Sequence, residues 1–374
     1  YDEKLKEELE NSELLRKYHE DGDLSILLRD EPFFCGIDIE PYIHLSGTEA
    51  FQEIIVYNEF ILNELFCGDY MKMDQAVITI NGMPDSEKQQ FLKGVISKLK
   101  DGAWRVRENA AEVLGSIGDA RAVEALIGAL ENGDEDESVR GAAARALGHI
   151  GDARAVEALK YVLKNEDALV RWNAAEALGG IGDARAFEAL IRALKDVDWR
   201  VRENAARALG GMGDARAFEA LEEVLEDETA SVRGAATLAL GMMGDARAVE
   251  ALEKVLMADD DVSVRGNAAL ALEWVGGTRA VEALIGALKD VDRHVRENAA
   301  EALGDMGGTR AVVALEKMLN DDDALVRRIV VTALGKIGDA RAVDALEKAL
   351  KDEDFVVREN TSWALEEIKA KQNQ

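Results

Sequence analysis

The spacing of apolar positions organises this chain before any single residue does. A Val-Arg pair begins at Val106, Val139, Val170, Val201, Val232, Val264, Val295, Val326 and Val357, and most intervals are 31 residues, with small additions before Val139 and Val264. A period of this length marks tandem copies of a single supersecondary unit. The copy from Asp198 reads DWRVRENAARALGGMGDARAFEALEEVL, in which Val201, Ala205, Leu209 and Met212 fall on one face of a helix. Gly213 ends that helix, and Asp214 caps a second one whose Phe218, Leu221 and Leu225 turn back toward the first. Three residues before the Val-Arg pairs stand Asp136, Asp167, Asp198, Thr229, Asp261, Asp292, Asp323 and Asp354, caps for the next first helix, whereas the first repeat has Ala103 there. Frequent glycines read as helix stops. The arginines at positions such as Arg202 and Arg216 are expected to pair with these aspartates between repeats.

A helix pair this short cannot bury both faces alone, so it must stack on its neighbours. The fold class implied is all-α: a right-handed α-α superhelix, a solenoid of about nine repeats, with a concave wall of first helices and a convex wall of second helices. The array is expected over residues 85–369, followed by a tail at 370–374. Its entry is Ser86 to Lys100, since Leu92, Val95 and Leu99 precede Val106 by the offsets at which Phe187, Leu190 and Leu194 precede Val201. Residues 1–84 are other material, holding all three prolines and both cysteines, Cys35 and Cys67. They are expected to form a mainly helical segment, from Lys4 to His19 and again after the Ser46 and Glu49 capping box, that caps the stack or docks a partner.

Motifs such as VRENAAEALG at Val295 to Gly304 and GDARAVDAL at Gly338 to Leu346 resemble the HEAT-like repeats of the phycobilisome lyase family. The likeness covers residues 103–369. It implies an α-solenoid and, as one functional expectation, a bilin lyase or chaperone-like factor acting on a phycobiliprotein cysteine.

Composition narrows the chemistry. The formal net charge is -29, from 74 acidic and 45 basic side chains, which repels nucleic acid and anionic lipid. Two distant cysteines suit neither a disulfide scaffold nor a zinc site, and they fit a reducing cytoplasm. No apolar run is long enough to span a bilayer, and the charged first twenty residues do not read as a signal peptide. The four histidines, His19, His44, His149 and His294, lie far apart, and no phosphate loop or nucleophile elbow appears. The sequence therefore points to a non-catalytic, cofactor-free and metal-free cytoplasmic scaffold that binds a protein or peptide.

Where such a scaffold binds is legible in the repeat's outward positions. Residues two, six and ten after each valine form a stripe on the first helix. It is mostly polar in early repeats, for example Trp172, Glu176 and Gly180, then Glu203, Arg207 and Gly211. The fifth and sixth repeats change to Gly234, Leu238 and Met242 beside Gly266, Leu270 and Trp274, and the seventh returns to Glu297, Glu301 and Asp305. An apolar centre inside a charged rim is the anatomy of a binding surface. The partner-binding residues expected are Trp172, Leu238, Met242, Leu270, Trp274 and Trp363 in the stripe, with Trp199 at a helix start and Arg207 on the rim. The alternative is that superhelical curvature or a neighbouring copy covers the apolar four. The recurring Asn109, Asn173, Asn204, Asn267, Asn298 and Asn360 suggest a ladder of amide hydrogen bonds between repeats, with ligand contact as the other reading.

Overall fold

A computed structural model describes residues 77–78, 80–131, 136–164 and 167–372. The chain divides into two parts, Tyr1–Phe91 and Leu92–Gln374. The expected helices at Lys4 to His19 and after Ser46 lie outside the described residues.

Eighteen α-helices and no strand occur among the described residues. Helix α1 is Asp85–Lys98, and Leu92, Val95 and Leu99 near its end are buried. The first helices of the repeats are α2 (Trp104–Ile117), α4 (Glu137–Ile150), α6 (Ala168–Ile181), α8 (Trp199–Met212), α10 (Ala230–Met243), α12 (Val262–Val275), α14 (Arg293–Met306), α16 (Ala324–Ile337) and α18 (Phe355–Gln372). The second helices are α3 (Val123–Glu131), α5 (Val156–Val162), α7 (Phe187–Ala193), α9 (Phe218–Val224), α11 (Ala248–Ala258), α13 (Gly277–Ala287), α15 (Thr309–Met318) and α17 (Val343–Ala349). Val201, Ala205, Leu209, Phe218, Leu221 and Leu225 are all buried, as the apolar spacing requires, while Met212 is only half-buried.

Most first helices stop on glycine in the left-handed conformation, as at Gly213 with φ 61 and ψ 19. Asp214 accepts a hydrogen bond from Arg216 N at 3.0 Å, and it opens a short 3-10 turn, Ala215–Ala217, before α9. In the sixth and seventh repeats GGT replaces GDA, and α13 and α15 start without that turn. The first-helix caps act largely as expected: Asp198 accepts from Arg200 N, Asp261 from Ser263 N and Val264 N, and Asp323 from Leu325 N. Thr229 holds the N-cap position with no side-chain cap bond.

Not every glycine is a helix stop. Those nine residues after the valine sit inside first helices and set the spacing between repeats. A Cβ on Gly210 would lie 2.6 Å from Ala239 Cα, and one on Gly115 2.7 Å from Ala146 Cα, so only hydrogen fits. Successive first helices therefore pack closely on each other, and far more extensively than successive second helices do. A stack whose two rows differ in spacing bends toward the tighter row. The first helices of the array form its inner wall.

Both edges of the array are stapled by arginine. Arg202 binds Asp227 of the next repeat through both carboxylate oxygens at 2.7 and 2.9 Å, while its other nitrogen donates to Asp196 O at 2.9 Å. Arg171–Asp196, Arg233–Asp259, Arg265–Asp290, Arg296–Asp321 and Arg327–Asp352 repeat this bridge. The partner is thus the aspartate two residues before the cap, whose carboxylate also accepts from the cap's own backbone N–H, as Asp227 does from Thr229 N. Arg140 pairs with the cap residue Asp167. Burial works against the charge on Asp227, Asp259 and Asp290, but arginine and backbone N–H hold their carboxyls below the usual range. Arg216, by contrast, pairs with Asp214 of its own turn at 2.6 Å, which helps bring that carboxyl down to about 2. It reaches the preceding repeat through Phe187, stacking 4.2 Å from the ring centre.

Candidate partner-binding face

The inner wall is built from positions that the packing leaves outward. Of the three stripe positions, the second after the valine is largely consumed by structure: Gly141, Gly234 and Gly266 are buried. The amides of Asn173, Asn267 and Asn298 from the next repeat come within 3.1, 3.0 and 2.8 Å of a Cβ placed there. Asn204 donates to Trp172 O at 3.3 Å and Asn360 to Thr332 Oγ1 at 3.5 Å, both across repeats, whereas Asn173 bonds Leu169 O within its own helix at 2.7 Å. The asparagines therefore serve the stack, partly as a ladder. The accessible stripe narrows to the sixth and tenth positions.

On that stripe Met242 is 56% and Trp274 48% exposed, each in the last turn of its helix, α10 and α12. The Trp274 ring lies against α10, with Cε3 3.1 Å from a Cβ placed on Gly241, the residue before Met242. Leu238 and Leu270, one turn earlier on the same helices, are half-buried and floor the patch. The bend of the array does not cover these side chains. Four of the expected residues thus come together on two adjacent helices.

The other four do not join them. Trp172 on α6 is half-buried, and its indole N–H is buried without a hydrogen-bond partner. Trp363 is 50% exposed on α18, three repeats beyond Trp274. Trp199 opens α8 at the opposite end from the patch, with the Arg200 guanidinium 5.2 Å from its ring centre. Arg207 is exposed and bound to Glu203 at 2.6 Å.

Carboxylates adjoin the patch on one side. Glu273 of α12 stands where most other repeats have the packing glycine. Burial, and then the nearby Glu301, raise its carboxyl above the usual range, while Lys336 opposes. Lys336 is itself bound to Asp305. Spacing alone did not single out Glu273, although its departure from the glycine of the other repeats was the available signal.

Among the described residues no helix is long and apolar enough to cross a membrane, and no group of His, Cys, Asp and Glu is arranged to hold a metal ion. The arrangement offers a surface for contact: an indole and a thioether over two leucines, edged with negative charge.

The chain belongs to the HEAT repeats family, which matches residues 92–168, 129–209, 157–241, 187–273, 249–329 and 314–373. No curated protein matches it in sequence. Among solved structures it is similar to importin beta crystallised in an ammonium sulfate condition, with TM-score 0.58 and 15% identity, over 86% of this chain and 53% of that one. It is also similar to Kap95p bound to RanGDP, with TM-score 0.57 and 16% identity, over 96% of this chain and 52% of the other. Against the complex of CpcE and CpcF of phycocyanin lyase from Nostoc sp. PCC7120 the identity is 27% and the TM-score 0.39, over 57% of this chain and 94% of that one. The chain spans about half the length of the two import-type solenoids, and the likeness to them establishes the fold.

Proposed function

We propose that this protein is a non-catalytic scaffold that holds a partner protein on the inner wall of its repeat array, with Leu238, Met242, Leu270 and Trp274 as the anchoring contacts. The observation that carries the reading is the placement of two large apolar side chains in solvent on adjacent helices, at positions that hold polar or glycine residues in the other repeats. Exposed clusters of this kind are a net cost to a monomer and a gain once covered. Buried tryptophan and aliphatic anchors supply most of the affinity of such contacts. Solved relatives with this fold include one seen with RanGDP, which supports a protein as the class of partner.

A photo-crosslinking residue placed at Met242 tests this directly in cell extract. Adducts are expected at Met242 and lost when Leu238 and Trp274 are both replaced by serine. The same crosslinker at Lys254, an exposed residue of second helix α11, serves as the control and should give none. Equal yields from both positions, or adducts indifferent to the serine pair, contradict the proposal.

A further inference from the structure

The inner wall holds two glycines that packing does not explain. Gly210 is required because Ala239 lies against it, but the next residue, Gly211, faces open space, with nothing within 4 Å of where a Cβ would sit. A Cβ on Gly180 would meet only Gly148 O, at an ordinary 3.5 Å. Neither glycine has a positive φ. A glycine inside a helix weakens it relative to alanine, and here neither a neighbour nor the backbone conformation demands one. What the pair supplies is bare backbone beside Met242, a place for something outside to come close.

Along the tenth positions the row runs Gly180, Gly211, Met242, Trp274 and Asp305, one residue per repeat. Past the apolar pair the stripe carries Glu297, Glu301 and Asp305, and Glu273 stands one residue before Trp274; Lys336 is bound to Asp305 and His294 to Glu297, while Glu301 lies near enough to Glu273 to raise its carboxyl. Lining up bare backbone, apolar wall and carboxylates on one face specifies an occupant.

We infer that the row seats an extended segment of another polypeptide whose backbone passes over Gly180 and Gly211, with a bulky apolar side chain against Met242 and Trp274 and a lysine or arginine beyond it at Glu273 and Glu301. This rests on the scaffold reading above and adds the chemistry of the partner. Neighbouring helices stand about 8–10 Å apart, so the cation falls about three residues from the apolar anchor in an extended chain. Crossing the four spacings from Gly180 to Asp305 takes about ten to twelve residues on the same arithmetic. A second copy of this chain is a poor occupant, because it brings a net charge of -29 to a face that is already negative.

The test is selection of a random twelve-residue peptide display library on the immobilised full chain, followed by titration of the synthetic consensus peptide. Enriched peptides are expected to pair an aromatic or aliphatic residue with Lys or Arg about three positions away. Their affinity should fall at least tenfold with Trp274→Ser, about tenfold with Glu301→Lys, and several-fold with Gly211→Leu, although Gly211→Leu should leave the chain's own thermal midpoint undiminished. Peptides that need Trp274 but are not enriched in basic residues and ignore Glu301→Lys overturn this inference and leave the scaffold reading standing. Peptides indifferent to Trp274→Ser overturn both readings. Binding untouched by Gly211→Leu overturns the backbone path, and a library that yields no binder, or acidic ones, overturns the occupant.

Discussion

Two adjacent glycines, Gly210 and Gly211 of α8, should respond oppositely to the same substitution. In Gly210→Ala the new methyl group lies 2.6 Å from both Cα and Cβ of Ala239, about 1 Å inside normal carbon contact. Helices α8 and α10 must separate to admit it, loosening the packing on either side, and overpacking of this kind costs about 1–3 kcal/mol. Better helix propensity returns about 0.5–1 kcal/mol, leaving a net loss of up to about 2.5 kcal/mol. In Gly211→Ala the methyl group enters solvent. Only the propensity gain applies, up to about 1 kcal/mol and less so near the helix end. Thermal unfolding followed by circular dichroism at 222 nm reads both. Gly210→Ala should melt several degrees below the parent and Gly211→Ala at or slightly above it. Equal effects in both variants would show that the ninth-position glycines do not set the spacing of the inner wall.

Other consequences can be checked on the same instrument. Breaking the nearly buried bridge with Arg233→Ala leaves Asp259 charged and unpaired, and should cost about 1–3 kcal/mol in a urea melt; a neutral result would deny the ladder its stapling role. The carboxyls of Asp227, Asp259 and Asp290 are depressed in the folded chain. Their contribution is therefore full above the unfolded value of about 3.9 and is lost as pH falls through the folded values. The thermal midpoint should hold from about pH 7 to 5 and fall below about pH 4, less steeply in Asp259→Asn; a midpoint flat to pH 3 would refute this. Arg216→Gln removes both the stacking on Phe187 and the pairing with Asp214 and should lower the thermal midpoint, whereas Arg200→Gln, at an exposed helix start, should change little.

The array was legible because its period, caps and buried faces are local statements, repeated until chance is excluded. Val201, Leu209 and Leu221 are core in the structure because a two-helix repeat has no other place for them. What spacing could not separate were residues of one type with different neighbours. Gly210, Gly211 and Gly213 read alike, yet the first is a spacer, the second lies open and the third turns the chain. The arginine ladder was anticipated in kind but not in partner, because Asp227 and Thr229 both lie in one short loop and only geometry assigns the bridge. The apolar patch was visible as a break in the stripe. Its Glu273 edge was not, since that position packs against the next helix in most other repeats.

The central claim is that Met242 and Trp274 form the contact surface, and oxidative footprinting tests it most directly, because methionine and tryptophan are readily oxidised side chains. Met257 on second helix α11 supplies an internal reference, being 52% exposed against 56% for Met242. With a saturating selected peptide, oxidation of Met242 and Trp274 should drop several-fold while Met257 keeps its rate. Unchanged rates at Met242 and Trp274 under saturation, or protection of Met257 instead, would contradict the account.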